Sequence, residues 1–165
     1  MAGDFVVTIR KATENDRSAI LEGFFALQEY ERSMEPNRAD PADIVETYLR
    51  DLFADCKDGK AEILVAEVGA GVVGWVGVVP RHVSDDILDH DREFAYITDL
   101  IVLKEYRGQG IGRRLLAAAE EYAAKQGARR LRVGVLSANA AAHRLYHSVG
   151  FRDYEVILEK RTESR

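Results

Sequence analysis

A single cysteine, Cys56, leaves the chain no intramolecular disulfide to form, so its stability must come from a packed core and its thiol fits a reducing compartment. No apolar run approaches the ~20 residues that a membrane-spanning helix requires. Asp4 and Arg10 flank the first short apolar run, which is not the pattern of a secretory leader. Together these absences predict a soluble, cytoplasmic protein with no membrane partner. Three prolines, and no stretch rich in Pro, Gly and Ser, leave no place for a linker. The 165 residues, 47% hydrophobic and 31% charged, therefore read as one domain, 1–165. Basic charge is not in excess either. With 23 Lys and Arg against 28 Asp and Glu the formal charge is −5, which excludes a broad nucleic-acid surface and favours a cationic substrate. Of the four histidines, His143 and His147 stand four apart on one helix face, but the sequence suggests no third ligand, so no metal is expected. Cys56 has no recognisable histidine partner and reads as a buried or half-buried helix residue.

What is present is an alternation of periods. Phe5 to Arg10 is a short β-prone run, and Thr13, with Asp16 three positions on, can cap a helix whose apolar positions Ile20, Phe24 and Leu27 carry it to about Arg32. Met34 to Asp40 is loop. Pro41 then opens a second helix with Ile44, Val45, Tyr48, Leu49 and Leu52 on one face, ending at Lys57 to Lys60. Ala61 to Val68 and Val72 to Val79 predict an antiparallel hairpin across Gly69 to Gly71. Pro80 to Glu93 is the longest polar connection and holds Asp85, Asp86, Asp89, Asp91 and Glu93. Phe94 to Leu103 predicts a central strand, Ile111 to Gln126 a helix stopped by Gly127, and Arg129 to Leu136 another strand. A last helix, Ala140 to Val149, lies between Asn139 and Gly150, and Phe151 to Lys160 predicts a closing strand. The class is α/β.

The richest stretch is Asp99 to Leu116. An apolar strand ends in a glycine-spaced basic loop that opens a helix. Gly108, Gly110 and Gly112 remove side chains where the backbone turns and where a bulky anion would meet the first helix amides. Those amides lack acceptors, the helix dipole adds partial positive charge, and Arg107, Arg113 and Arg114 can add full charges. The chain therefore offers a phosphate or pyrophosphate site. It is not a Walker loop, because Gly112 is followed by Arg113 and Arg114 rather than Lys and Ser or Thr. Nor is it the dinucleotide fingerprint, because the spacing is G-x-G-x-G, late in the chain, with no acidic partner ~20 residues on.

With its surroundings, the loop resembles the GNAT N-acetyltransferase superfamily over almost the whole chain, most closely its bacterial-type small-molecule acetyltransferases. Arg107-Gly108-Gln109-Gly110-Ile111-Gly112 matches the family's Gln/Arg-x-x-Gly-x-Gly/Ala signature after a Leu-Ile-Val strand. Asn139, Tyr146 and Gly150-Phe151 match its second motif. The resemblance implies a mixed, mostly antiparallel sheet with a splayed central strand pair, flanked by about four helices. It also implies acetyl-CoA as co-substrate and no metal. Coenzyme A would rest on Arg107, Gly108, Gln109, Gly110, Ile111, Gly112 and Arg113, with its pantetheine arm along Ile101, Val102 and Leu103 and a further contact from Asn139. A β-bulge typically opens the gap between the splayed strands, so strict alternation of faces through Asp99 to Val102 is not assumed.

Acetyl transfer to nitrogen needs a neutral amine, a stabilised oxyanion and a proton for the departing thiolate. The resemblance points to Tyr146 as the thiolate's proton donor and to a backbone N–H near Val102 for the oxyanion. In polyamine acetyltransferases the strand reads Glu-Asp; here Thr98 replaces the glutamate and Asp99 matches the aspartate. Asp99 is then either a structural hydrogen-bonding group or a catalytic, ammonium-binding one, and a water chain can replace a dedicated base. Glu29, Tyr30 and Glu31, with Thr98 and Asp99, are candidates for the acceptor pocket. The expected activity is transfer from acetyl-CoA to a primary amine on a small cationic metabolite: a diamine, a polyamine or an amino-acid derivative. Its rivals are a protein or peptide acetyltransferase and a non-catalytic coenzyme-A-binding module. Homodimers are common in such folds, so a homodimer is a further expectation of the resemblance.

Overall fold

The computed structural model describes residues 6–85, 87–88 and 91–162. Asp4, Phe5, Asp86, Asp89 and His90, which entered the sequence reading, lie outside the described residues. Five strands form one sheet in chain order: β1 (Val7–Lys11), β2 (Glu62–Val68), β3 (Gly71–Val83), β4 (Glu93–Val102) and β5 (Leu131–Val133). The first four pair antiparallel, and β4 pairs with β5 in parallel. Helices α1 (Arg17–Met34) and α2 (Pro41–Lys57) join β1 to β2, α3 (Ile111–Lys125) crosses from β4 to β5, and α4 (Ala140–Ser148) follows β5.

Local chemistry accounts for the element boundaries. Asp16 accepts hydrogen bonds from the Thr13 backbone N–H at 2.7 Å and hydroxyl at 3.0 Å, fixing a short 3-10 turn, Glu14–Asp16, ahead of α1. Asp40 caps α2 through the Ala42 N–H at 2.9 Å, with Pro41 at the first helical position. Alternation along β2 sends Ile63 and Val65 to the face covered by α1 and α2, and Leu64 and Ala66 to the face covered by α3. The sheet thus separates two apolar clusters, one built on Phe24, Leu49 and Trp75, the other on Ile111, Leu115 and Val76.

Two irregularities in β4 position everything that follows. Gly77 pairs with Asp99 and Val78 with Ile97, so Thr98 is an extra residue on β4, a bulge. The bulge switches faces: Ile97 packs with the α3 cluster, whereas Ile101 packs with the α1–α2 cluster. The parallel ladder with β5 ends at Ile97 and Val133, just before that bulge, and past it the two chains separate.

Three sequence expectations need correction. β3 continues through Pro80 to Val83, because Pro80 falls where the register with β4 shifts between Val79 and His82 and no ladder hydrogen bond is required of it. The polar connection is correspondingly shorter. β5 is three residues long rather than running from Arg129 to Leu136, since the splay removes its partner beyond Val133. Phe151 to Lys160 forms no strand and joins no ladder.

Candidate active site

A cavity of about 440 Å³ opens where β4 and β5 part. One wall is the β4 edge from Thr98 to Val102, the opposite wall is Val133 to Leu136 with α4, the end of α1 forms a third side, and the loop into α3 closes one end.

The loop end is built from backbone. Gly108 and Gly110 have φ of 75° and 80°, the left-handed region, and the space where a Cβ would stand at either is empty. Gly110 is the residue before α3 and supplies no side-chain cap, and no acidic residue occupies the first turn. The amides of Ile111, Gly112 and Arg113 therefore have no intrahelical acceptor, and the dipole is uncompensated. Arg113 lines this end, while Arg114 turns away to donate to the Val7 carbonyl at 2.7 Å. Arg107 donates from Nε to the Val102 carbonyl at 2.8 Å and stacks over Tyr30, its guanidinium 5.5 Å from the ring centre. That link ties the loop to the strand. A pyrophosphate fits this end on amide donors, open glycines and one cation.

The other end is built from side chains. The bulge turns Asp99 towards α2, where it is buried and accepts a short hydrogen bond from the Tyr48 hydroxyl. Gly77 makes the room: a Cβ there would lie 2.4 Å from Thr98 Oγ1. Thr98 Oγ1 is itself buried with no hydrogen-bond partner among the described residues. Burial pushes the Asp99 carboxyl above the usual carboxylate range, opposed by the Tyr48 hydrogen bond and aided by the negative charge of Glu31. Tyr48 is raised as well, first by burial and then by the charge of Asp99. Glu31 lines the same end, and Arg38 Nη2 lies 2.5 Å from its Oε2.

Tyr146 is buried and lines the same cavity, its ring 5.7 Å from that of Phe151. Burial, with the charges of Glu31 and Asp99, pushes its hydroxyl up to about 12, so it holds its proton at neutral pH. Asn139 lines the wall and also caps α4, accepting from the Ala142 N–H at 3.1 Å.

Of the residues singled out from the sequence, the cavity gathers Tyr30, Thr98, Asp99, Ile101, Val102, Arg107, Gly108, Gly110, Ile111, Gly112, Arg113, Asn139 and Tyr146. Three stand apart from its lining. The Leu103 N–H is taken by the Val73 carbonyl, the Gln109 side chain donates to the Glu105 carbonyl, and Glu29 pairs with Arg32 on the exposed side of α1. Sequence reading treated Tyr48 only as an apolar-face helix residue and did not weigh Arg38. The available signal was the hydroxyl, since a buried tyrosine needs a partner. His143 and His147 do acquire a third neighbour, Asp153, with one ligand atom from each lying within 4.8 Å of the others. His147 Nε2 hydrogen-bonds Asp153 at 2.8 Å. The cluster lies outside the cavity lining.

A family model described as the acetyltransferase (GNAT) family matches residues 23–151. The uncharacterized N-acetyltransferase YycN of Bacillus subtilis is 31% identical over 90 residues, which are 54% of each protein. The uncharacterized N-acetyltransferase MJ1207 of Methanocaldococcus jannaschii is 31% identical over 91% of this chain; the chain spans only 62% of that relative's length. A thialysine N-epsilon-acetyltransferase of Bos taurus is 34% identical over 89% of this chain and 85% of its own. Among solved structures, AAC(6')-Iy in complex with the bisubstrate analogue CoA-S-monomethyl-acetylneamine superimposes over 96% of this chain and 99% of its own. The TM-score is 0.73 at 16% identity, a likeness of fold.

Proposed function

The chain belongs to the GNAT acetyltransferase family, and from that membership we propose that it transfers an acetyl group from acetyl-CoA directly to a primary amine of a small cationic metabolite. One observation carries the reading: a single cavity is lined by an uncapped helix start, a buried carboxylate and a protonated tyrosine. The thioester supplies the activated acetyl group. Amides of the loop from Arg107 to Gly112, with Arg113, bind the pyrophosphate, and the β4 edge beyond the bulge offers backbone groups to the extended arm. A backbone N–H near Val102 stabilises the oxyanion at no cost in reorganisation.

At the other end, Asp99 and Glu31 bring negative charge to the acceptor. Asp99 receives the proton that the nitrogen loses as the N–C bond forms, and burial, by raising its pKa above the usual carboxylate range, makes it a stronger proton acceptor. Tyr146 gives a proton to the sulfur as the C–S bond breaks. Net transfer is one acetyl group to nitrogen and one proton to sulfur. The bovine relative is named for acetylation at an ε nitrogen, and this supports amines of diamine, polyamine or amino-acid type as acceptors. The protein is expected to work in the cytoplasm, and no helix among the described residues is long and apolar enough to cross a membrane.

Thiol release from acetyl-CoA, measured against a panel of diamines, polyamines, lysine analogues and peptides, tests the proposal. Turnover with small cationic amines and little with peptides is expected. No turnover with any amine, alongside tight coenzyme A binding, would leave only a binding module.

A further inference from the structure

The last turn of α4 gathers three side chains with metal-ligand atoms. His143 and His147 are four residues apart, so they stand one turn above the other on one helix face, and their rings meet edge to face with centres 5.4 Å apart. Beyond the helix Gly150, at φ 97°, reverses the chain. The reversal is held by the Phe151 N–H, which donates to the Tyr146 carbonyl at 3.1 Å, and by the contact between the Tyr146 and Phe151 rings. Two residues further on, Asp153 arrives beside the histidines: its Oδ1 lies 2.8 Å from His147 Nε2 and 4.0 Å from His143 Nδ1. The reversal thus supplies the third ligand that spacing along the sequence does not suggest.

The geometry is close to what an ion requires. Bonds of about 2.0–2.2 Å from imidazole nitrogen and carboxylate oxygen set neighbouring ligand atoms about 3.0–3.5 Å apart. The separations here run from 2.8 Å to no more than 4.8 Å and bracket that range. His147 and Asp153 are exposed and His143 is half-buried, so side-chain rotation can close the set around an ion without moving the helix. Two imidazoles and one carboxylate suit transition dications such as Zn²⁺, Co²⁺ or Ni²⁺, whereas Mg²⁺ and Ca²⁺ take oxygen ligands. The negative end of the α4 dipole also favours a cation at this turn. Arg144 follows His143, so the pair lacks the general base of the His-Glu-x-x-His metalloproteases, and none of the three ligands lines the cavity. A structural role fits these features, not a hydrolytic one.

We propose that His143, His147 and Asp153 bind one Zn²⁺ or a similar transition dication, and that the ion clips the chain reversal at Gly150 to the last turn of α4. Tyr146 and Phe151 lie within the clipped segment, so the ion stiffens the part of α4 that carries Tyr146 without joining the chemistry in the cavity.

Calorimetric titration of the chain, free of any polyhistidine tag, with zinc chloride tests this. One equivalent should bind. Loss of a mere outer partner of a metal ligand costs about 10- to 100-fold in affinity, so His147→Ala and Asp153→Asn, which each remove a ligand, should weaken zinc at least as much. Cys56→Ser, which removes the lone thiol, should bind as wild type does. His147 and Asp153 are exposed, so without zinc both ligand variants should melt close to wild type. With zinc at about 100 times its dissociation constant, wild type and Cys56→Ser should gain about 5–10 °C and the ligand variants should not. Amide exchange over residues 147–153 should slow on addition of zinc to wild type. Absence of binding into the sub-millimolar range overturns the proposal, as does binding that survives either ligand variant or disappears in Cys56→Ser. Zinc bound at the three residues with unchanged exchange over 147–153 would overturn the clip.

Discussion

The two ends of the cavity are made of different materials. The end at α3 is backbone: left-handed glycines, unpaired amides and a helix dipole, all contributed by residues 107–113. The end at the bulge is side chain: Asp99 from β4, Tyr48 from α2, and Glu31 and Arg38 from α1 and the loop after it, held together by burial, the Tyr48–Asp99 hydrogen bond and the Glu31–Arg38 ion pair. A backbone site depends on conformation rather than on side-chain identity, and it tolerates little change in that conformation. A side-chain site can be re-specified one residue at a time while the sheet stays the same. The proposed division of labour, a fixed co-substrate end and an adaptable acceptor end, accords with those materials.

Replacing one residue at each end should separate the two. Asp99→Asn is expected to have the largest effect, lowering kcat/KM for the amine by about 10²- to 10⁴-fold, the range for loss of a positioned base. The same change should not cost stability. Burial raises the Asp99 pKa, so the unfolded chain gives up that proton more readily, and the native state loses stability as pH climbs from the ordinary carboxylate range through the folded pKa. The asparagine variant lacks that penalty and should melt at or above the wild-type temperature at pH 7.5, as scanning calorimetry can read. Gly110→Val forces a β-branched residue to φ 80° and puts methyl groups where the anion sits. Strain of about 1–2 kcal/mol plus the lost approach should weaken acetyl-CoA binding by roughly 10- to 100-fold in a titration.

Between the ends, Tyr146→Phe is expected to lower kcat by about tenfold or more with unchanged acetyl-CoA affinity. A thiol-release assay with a substrate of low leaving-group pKa should narrow the deficit, because such a thiolate needs no proton. The smallest effect belongs to Tyr48→Phe. A hydrogen bond to a carboxylate is worth about 1.5–3 kcal/mol in that carboxylate's favour, so the variant that lacks it should retain activity at high pH and fall below wild type as pH drops. The sign follows from the Tyr48 bond, which now holds the Asp99 pKa down.

Legibility in the sequence tracks the same division. The α3 end is one continuous stretch, and its chemistry is dictated by glycine positions and helix geometry that spacing reveals. Five of the six expected strands, the four helices and the antiparallel β2–β3 hairpin follow from period and turn residues for the same local reasons, whereas the mostly antiparallel sheet as a whole is what the resemblance implies. The acceptor end draws on residues as far apart as Glu31, Tyr48 and Asp99, and only the bulge at Thr98 decides that Asp99 faces α2 at all. Nothing in the alternation of Ile97, Asp99 and Ile101 announces that switch, because Gly77, the residue that makes it sterically possible, lies on another strand. The expected closing strand is absent for a related reason: residues 151–160 have strand composition, but composition does not say whether a strand finds a sheet edge to join.

The division itself is tested most directly by measuring two quantities in two variants: the acetyl-CoA dissociation constant by calorimetry, and kcat/KM for the amine at saturating acetyl-CoA. Gly110→Val should raise the dissociation constant and leave kcat/KM for the amine within a few-fold of wild type, and Asp99→Asn should do the reverse. If both variants depress both quantities to the same extent, the two ends do not act separately and the roles assigned to them are wrong.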